Sequence, residues 1–106
     1  MGGRASSSKG YRGEKQVQAQ IAAHGHACRR VPLSGAAQGW PGDLVIDLPD
    51  AQGLIVECKV RADGFRQLYQ WLEGADVLTV KADRRPALAV LDLDTYSALL
   101  AKAHGT

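Results

Sequence analysis

The chain has 106 residues and a mass of 11.3 kDa, enough for one hydrophobic core and too little for two domains of ordinary size. Hydrophobic residues at 45% and charged residues at 23% are those of a globular domain and exclude collagen-like, coiled-coil and wholly disordered chains. The net charge of +2 hides an uneven distribution. Arg4, Lys9, Arg12, Lys15, Arg29 and Arg30 against Glu14 alone leave residues 1–30 at +5, and the remainder sums to −3. Basic charge gathered at one end suits a polyanion partner, with an acidic pocket elsewhere.

The longest apolar run, Ala87 to Leu91, falls far short of the roughly 20 residues of a membrane-spanning helix, so no membrane partner is expected. The first nine residues carry no apolar leader segment, and a cytoplasmic location is expected. Cys28 and Cys58 lack the C-x-x-C spacing of a zinc site and read as free, buried thiols.

Residues 1–8, rich in Gly, Ser and Arg, read as a flexible basic arm with little apolar surface to offset ordering. Residues 9–106 form the single domain. A first helix is expected from about Gly10 to Gly13 as far as His24, with Val17 and Ile21 one turn apart and Gly25 as its left-handed cap. His26 to Val31 reads as a short strand stopped by Pro32, followed by a Gly-rich loop containing Trp40.

Asp43 to Leu48 and Leu54 to Val60 read as two strands joined by the turn Pro49 to Gly53. A hairpin centred on Ala51 sets Asp43 opposite Lys59 and Val45 opposite Glu57, with Asp43, Glu57 and Lys59 on one face. The other face, Leu44, Ile46, Leu48, Leu54, Val56, Cys58 and Val60, is wholly apolar and fixes the facing of both strands. Asp63 is an expected N-cap for a second helix with Phe65, Leu68, Tyr69 and Leu72 on its core stripe and Gly74 at its end. Val77 to Val80 and Ala87 to Leu91 are two more apolar strands. Asp94 then caps a last helix with Tyr96, Leu99, Leu100 and Ala103 on one stripe. The order αβββαββα predicts an α/β fold, one mixed central sheet flanked by helices.

Two carboxylates close together on the hairpin repel one another unless a cation intervenes. Hard oxygen ligands with no His or Cys beside them suit Mg²⁺, with Mn²⁺ as a substitute. Such an ion stabilises charge on a phosphodiester and lowers the pKa of its water, and Lys59, two residues from Glu57, is placed to position that water. Cys58 would offer the ion only its backbone carbonyl.

Asp43, thirteen intervening residues and then Glu57-Cys58-Lys59 resemble the D-x(n)-E-x-K signature of the PD-(D/E)xK nucleases, with Gly42 where a proline commonly precedes the aspartate. Lys9-Gly10, Gly13-Glu14 and Arg30-Val31-Pro32-Leu33-Ser34-Gly35 are similar to blocks of the archaeal-type Holliday junction resolvases. The resemblance covers nearly the whole chain and implies a restriction-endonuclease-like fold and a homodimer acting on branched DNA. It also implies Asp43 and Glu57 as principal ligands, Glu14 as the acidic residue completing the metal site, and Lys59 as the catalytic lysine. Lys9, Arg12, Arg30 and Ser34 would contact DNA. The loop from Gly35 to Gly42 has no basic residue, unlike those resolvases, so nucleases of flaps or ends, and a silent nucleic-acid-binding subunit, stand beside junction cutting.

Other features have plainer readings. Asp47 reads as a solubilising edge residue, and His24 and His26 as surface histidines. Gln67 is either directed at Lys59 or an exposed helix residue, and Arg84-Arg85 are either a phosphate contact or a polar turn.

Overall fold

The computed structural model describes residues 2–31 and 43–105, with side chains in the first helix from Gly10 onward. Three helices and five strands follow in the order α1 (Gly2–Ala22), β1 (Cys28–Arg30), β2 (Leu44–Ile46), β3 (Leu54–Val56), α2 (Arg66–Leu72), β4 (Leu78–Val80), β5 (Leu88–Val90) and α3 (Leu93–His104).

The helix α1 begins at Gly2, so the segment read as a flexible arm is the helix's first two turns. The run contains no proline, and an established helix propagates through Arg, Ala and Ser without needing an apolar face. The helix ends at Ala22, two residues short of the expected His24, and the chain leaves it through Gly25 as expected: the Gly25 N–H reaches the Ala22 carbonyl at 3.0 Å, with Gly25 at a φ of 103° that an L side chain rarely adopts.

Among the described residues the strands form two antiparallel sheets, β1-β2-β3 and β4-β5, rather than one mixed sheet. The β3 ladder ends at Val56, and the chain beyond it turns to α1, where Val60 packs against Gly13. β4 and β5 pair only with one another.

The β2–β3 register also differs from expectation. Leu44 pairs with Val56, Val45 with Ile55 and Ile46 with Leu54, so the hairpin is centred on Asp50 and Val45 faces Ile55, not Glu57. A shift of two leaves every side chain on its own face, so alternation cannot distinguish the two registers. Gly53 permits the observed one: a Cβ there would lie 2.9 Å from Val45 Cγ1 and 3.1 Å from the Ile46 carbonyl.

The core lies where the apolar face of this sheet meets the helices. Ile21, Leu44 and Ile46 are fully buried and cluster with Cys28 and Leu100, and Val17, Leu54, Val56, Cys58 and Tyr96 pack against them. On α3 the N-cap is Asp92, two residues before Asp94. Ser97 and Leu100 face inward while Leu99 is exposed. α1 and α3 are tied by Asp94, whose carboxylate accepts from Gln20 Nε2 at 2.9 Å and meets His24 Nε2 at 3.4 Å. Those hydrogen bonds, Gln20 foremost, hold the Asp94 carboxyl below its ordinary pKa. His26, expected at the surface, is buried.

The second half packs differently from expectation. The N-cap of α2 is Phe65, not Asp63, and none of its residues is buried. Tyr69 is 72% exposed, and Trp71, Val77 and Leu88 are exposed as well. Gly74, with φ at 77°, follows the last helical turn as predicted.

Candidate active site

Asp43 sits at the end of β2, where its N–H donates to the Val56 carbonyl at 2.8 Å and its own carbonyl accepts from Val31 N–H at 2.8 Å. Continuing the register by one step sets Asp43 opposite Glu57, where the sequence alone placed Lys59. The side chain is anchored too: Asp43 Oδ2 accepts the Cys58 backbone N–H at 2.8 Å. A carboxylate holding an otherwise free strand-end N–H is a charge-assisted bond, stronger than its neutral counterpart.

Glu57 and Lys59 follow on the exposed side of the same segment, with Lys59 Nζ 3.1 Å from Glu57 Oε2. Both side chains are about half exposed, so this pair adds little stability and leaves both groups open to solvent. Cys58 between them turns inward, as expected, and packs against the core cluster.

Glu14 lies on α1 and is nearly covered, its side chain 12% exposed. Arg30 holds it, with Nη2 at 2.9 Å and Nε at 3.0 Å from the same oxygen. Arg30 pairs with Leu44 across β1 and β2 and so projects from the sheet face that α1 covers. Asp43 and Glu57 project from the other face. Glu14 therefore approaches the pair from a different layer, and among the described residues no three carboxylate, His or Cys groups assemble as a metal-holding cluster.

The Cys58 thiol nevertheless registers all of them. Its pKa is pushed up to about 11, first by burial, then by the negative charges of Asp43 and Glu14, by Cys28, and by Glu57.

Tyr11 is the neighbour that the sequence reading passed over. Its ring lies between two cations, the Arg30 guanidinium 4.7 Å from its centroid and Lys15 Nζ at 5.4 Å. Tyr11, Glu14 and Lys15 stand at i, i+3 and i+4 on α1, so helical spacing alone could have grouped them.

The remaining expectations divide. Arg12 is exposed and lies about 200° around α1 from Glu14, on the helix's other side. Lys9 belongs to α1 through its described backbone; its side chain, Ser34 and Trp40 lie outside the described residues. Asp47 is held by Arg29 at 3.1 Å. Gln67 donates to Gln70 Oε1 at 3.3 Å. Arg84, at a φ of 58°, belongs to a turn closed by Arg85 N–H to the Ala82 carbonyl at 3.2 Å.

Compared with known proteins, the chain matches no protein family, no curated protein and no solved structure.

Asp43 and Glu57 offer hard carboxylate oxygens. That suits Mg²⁺, which commonly binds through one or two carboxylates and keeps several waters for the remaining positions.

Proposed function

We propose that the chain is a small Mg²⁺-dependent endonuclease of restriction-endonuclease-like fold that cleaves branched DNA, with resolution of four-way junctions as its foremost reaction. The observation that carries the reading is that Asp43, just before β2, is tied to the segment bearing Glu57 through the Val56 carbonyl and the Cys58 N–H, with Lys59 beside Glu57. The αβββαββα order and the resemblance of the Asp43, Glu57-Cys58-Lys59 signature support it.

In this reading Asp43, Glu57 and the Cys58 carbonyl would hold Mg²⁺ or Mn²⁺, and the ion would supply positive charge against the charge developing on the phosphodiester. Lys59, leaving Glu57 for the substrate, orients the attacking water and steadies the non-bridging oxygens. Arg30, on the sheet face away from Asp43 and Glu57, serves to hold Glu14 rather than the scissile phosphate. The Cys58 N–H keeps Asp43 in place, so the carboxylate loses little freedom when substrate arrives. Two symmetric cuts need two such centres, and a homodimer provides them. The exposed apolar residues Val77 and Leu88 beside β4–β5 are surface for a second copy to cover. The two free thiols accord with a reducing, cytoplasmic setting.

A silent DNA-binding subunit is the second reading. It is favoured by one observation: each carboxylate is already satisfied within the chain, Glu14 by Arg30, Asp43 by Cys58 N–H and Glu57 by Lys59. The deciding experiment offers Mg²⁺ with four-way junctions, flaps, and blunt duplexes in parallel. Junction cutting supports the proposal, cutting of flaps or ends alone supports the related nuclease reading, and tight binding with no cutting of any substrate supports the silent subunit.

A further inference from the structure

Beside the Lys59 segment lies a groove of which the proposed chemistry uses Lys59 alone. It runs between α1 and α2, has a volume of about 410 Å³, and its lining includes Gln16, Lys59, Arg61, Phe65, Arg66 and Tyr69. Three of these six side chains are cationic. Among the groove's lining residues only Asp63 opposes them, and its contact with Arg66 is an exposed pair at 3.5 Å. Among the described residues Arg61 donates to the neighbouring Val60 carbonyl alone, at 2.9 Å. The two aromatic rings are open to solvent, Phe65 at 36% and Tyr69 at 72%.

Exposed rings at a surface helix cost free energy unless something covers them, and here they stand among cationic side chains. That combination is the physical description of a site for unpaired nucleotides: cations track the backbone while a ring face takes a base. A duplex cannot use the rings in this way, because its base faces are already stacked on one another. Gln16 adds a hydrogen-bonding group of the kind that reads base edges.

We propose that this groove binds an unpaired DNA strand, with a base stacked on Tyr69 or Phe65 and phosphates on Arg61 and Arg66, and delivers the adjoining duplex to Asp43 and Glu57 through Lys59 at its rim. Flaps, single-stranded tails and a crossover whose pairs have opened expose such nucleotides, whereas intact duplex and a fully paired four-way junction do not. The groove thereby supplies a preference for discontinuous DNA that the hydrolytic residues alone lack. The proposal rests on DNA being the substrate but not on the chain's ability to cut it.

The test is binding in EDTA, where no cleavage takes place, of a fluorescein-labelled 12-nucleotide oligothymidylate, the corresponding oligouridylate and a 12-base-pair duplex. Tyr69→Ala is expected to weaken oligothymidylate binding about tenfold and duplex binding less than twofold, while Tyr69→Phe, which keeps the ring, restores it. Arg61→Ala should weaken oligothymidylate binding and lower its salt dependence by about one phosphate contact. Trp71→Ala, an exposed change on α2 outside the groove, should leave both unchanged. With 5-iodouracil in the strand, photo-crosslinks should map to Tyr69 or Phe65. Equal effects of Tyr69→Ala and Trp71→Ala, or equal losses for strand and duplex, overturn the proposal. So does tighter binding of the oligouridylate, or a Tyr69→Ala variant that changes only the oligomeric state, the mark of a second copy in the groove. A protein that binds the strand in this way yet cuts nothing would retain this site and refute the nuclease reading alone.

Discussion

Replacing Gly13 tests how α1 is brought to the Lys59 segment. Gly13 is buried in the middle of α1, and a Cβ added there collides with Val60 Cγ2. Two opposing effects follow from Gly13→Ala. Alanine favours a helix interior by about 1 kcal/mol over glycine, but forcing a methyl into a filled space costs about 1–3 kcal/mol. The colliding atom belongs to a β-branched side chain with a stiff χ1, so relief by rotation is limited and a net loss of about 1 kcal/mol is expected. Val60→Ala removes the obstacle. In that background Gly13→Ala should stabilise by about 1 kcal/mol, giving a coupling of about 2 kcal/mol between the two sites. Urea unfolding of the four proteins, with a common m-value, measures it. If Gly13→Ala stabilises equally in both backgrounds, α1 does not approach Val60 closely, and Glu14 is not held near residue 58 in the manner described.

Asp43→Ala leaves the Cys58 N–H without its carboxylate and should cost about 1.5–3 kcal/mol in chemical denaturation, whereas Asp43→Asn, which keeps an acceptor oxygen, should cost clearly less. Arg30→Ala strands the nearly covered Glu14 carboxylate; it should destabilise by more than Glu14→Gln, a difference that thermal melts resolve. The raised Cys58 thiol should alkylate slowly at neutral pH, and Asp43→Asn should speed its reaction with iodoacetamide by lowering that pKa. Because the folded thiol holds its proton more tightly than the unfolded one, its contribution to stability is complete below pH 9 and is lost as pH rises toward about 11. Asp94 has the opposite sign: its lowered carboxyl stabilises the α1–α3 contact above the ordinary carboxylate range, and this is lost on acidification, so Asp94→Asn should flatten the acid limb of the stability profile.

The elements legible in the sequence were those whose patterns are local. Alternation from Asp43 to Val60 sorted Leu44 and Ile46 into the core and Glu57 and Lys59 onto the open face, and the left-handed glycines Gly25 and Gly74 marked two helix ends. What escaped depended on contacts between distant segments or on backbone fit. The hairpin register slipped by two because parity is blind to it and the decision lies with Gly53 against Val45. The apolar stripes of α2 and of β4–β5 suggested burial, but nothing in their spacing says which partner covers them, and among the described residues none buries α2. Of the candidate site, Asp43, Glu57 and Lys59 were readable as one face. The Arg30 contact with Glu14 from another layer, and the Tyr11 ring beneath Arg30, depend on how α1 lies across the sheet, which its own sequence does not specify.

The most direct measurement is the single-turnover rate of Mg²⁺-dependent cutting of a four-way junction by the unaltered chain, Glu57→Gln and Lys59→Met, with junction binding followed in the same samples. The account predicts that the unaltered chain cuts and that each variant binds as before but cuts at least 100-fold more slowly, the scale of a lost charge-stabilising or proton-handling group. Cutting by Glu57→Gln at the unaltered rate, or no cutting by the unaltered chain, would contradict it.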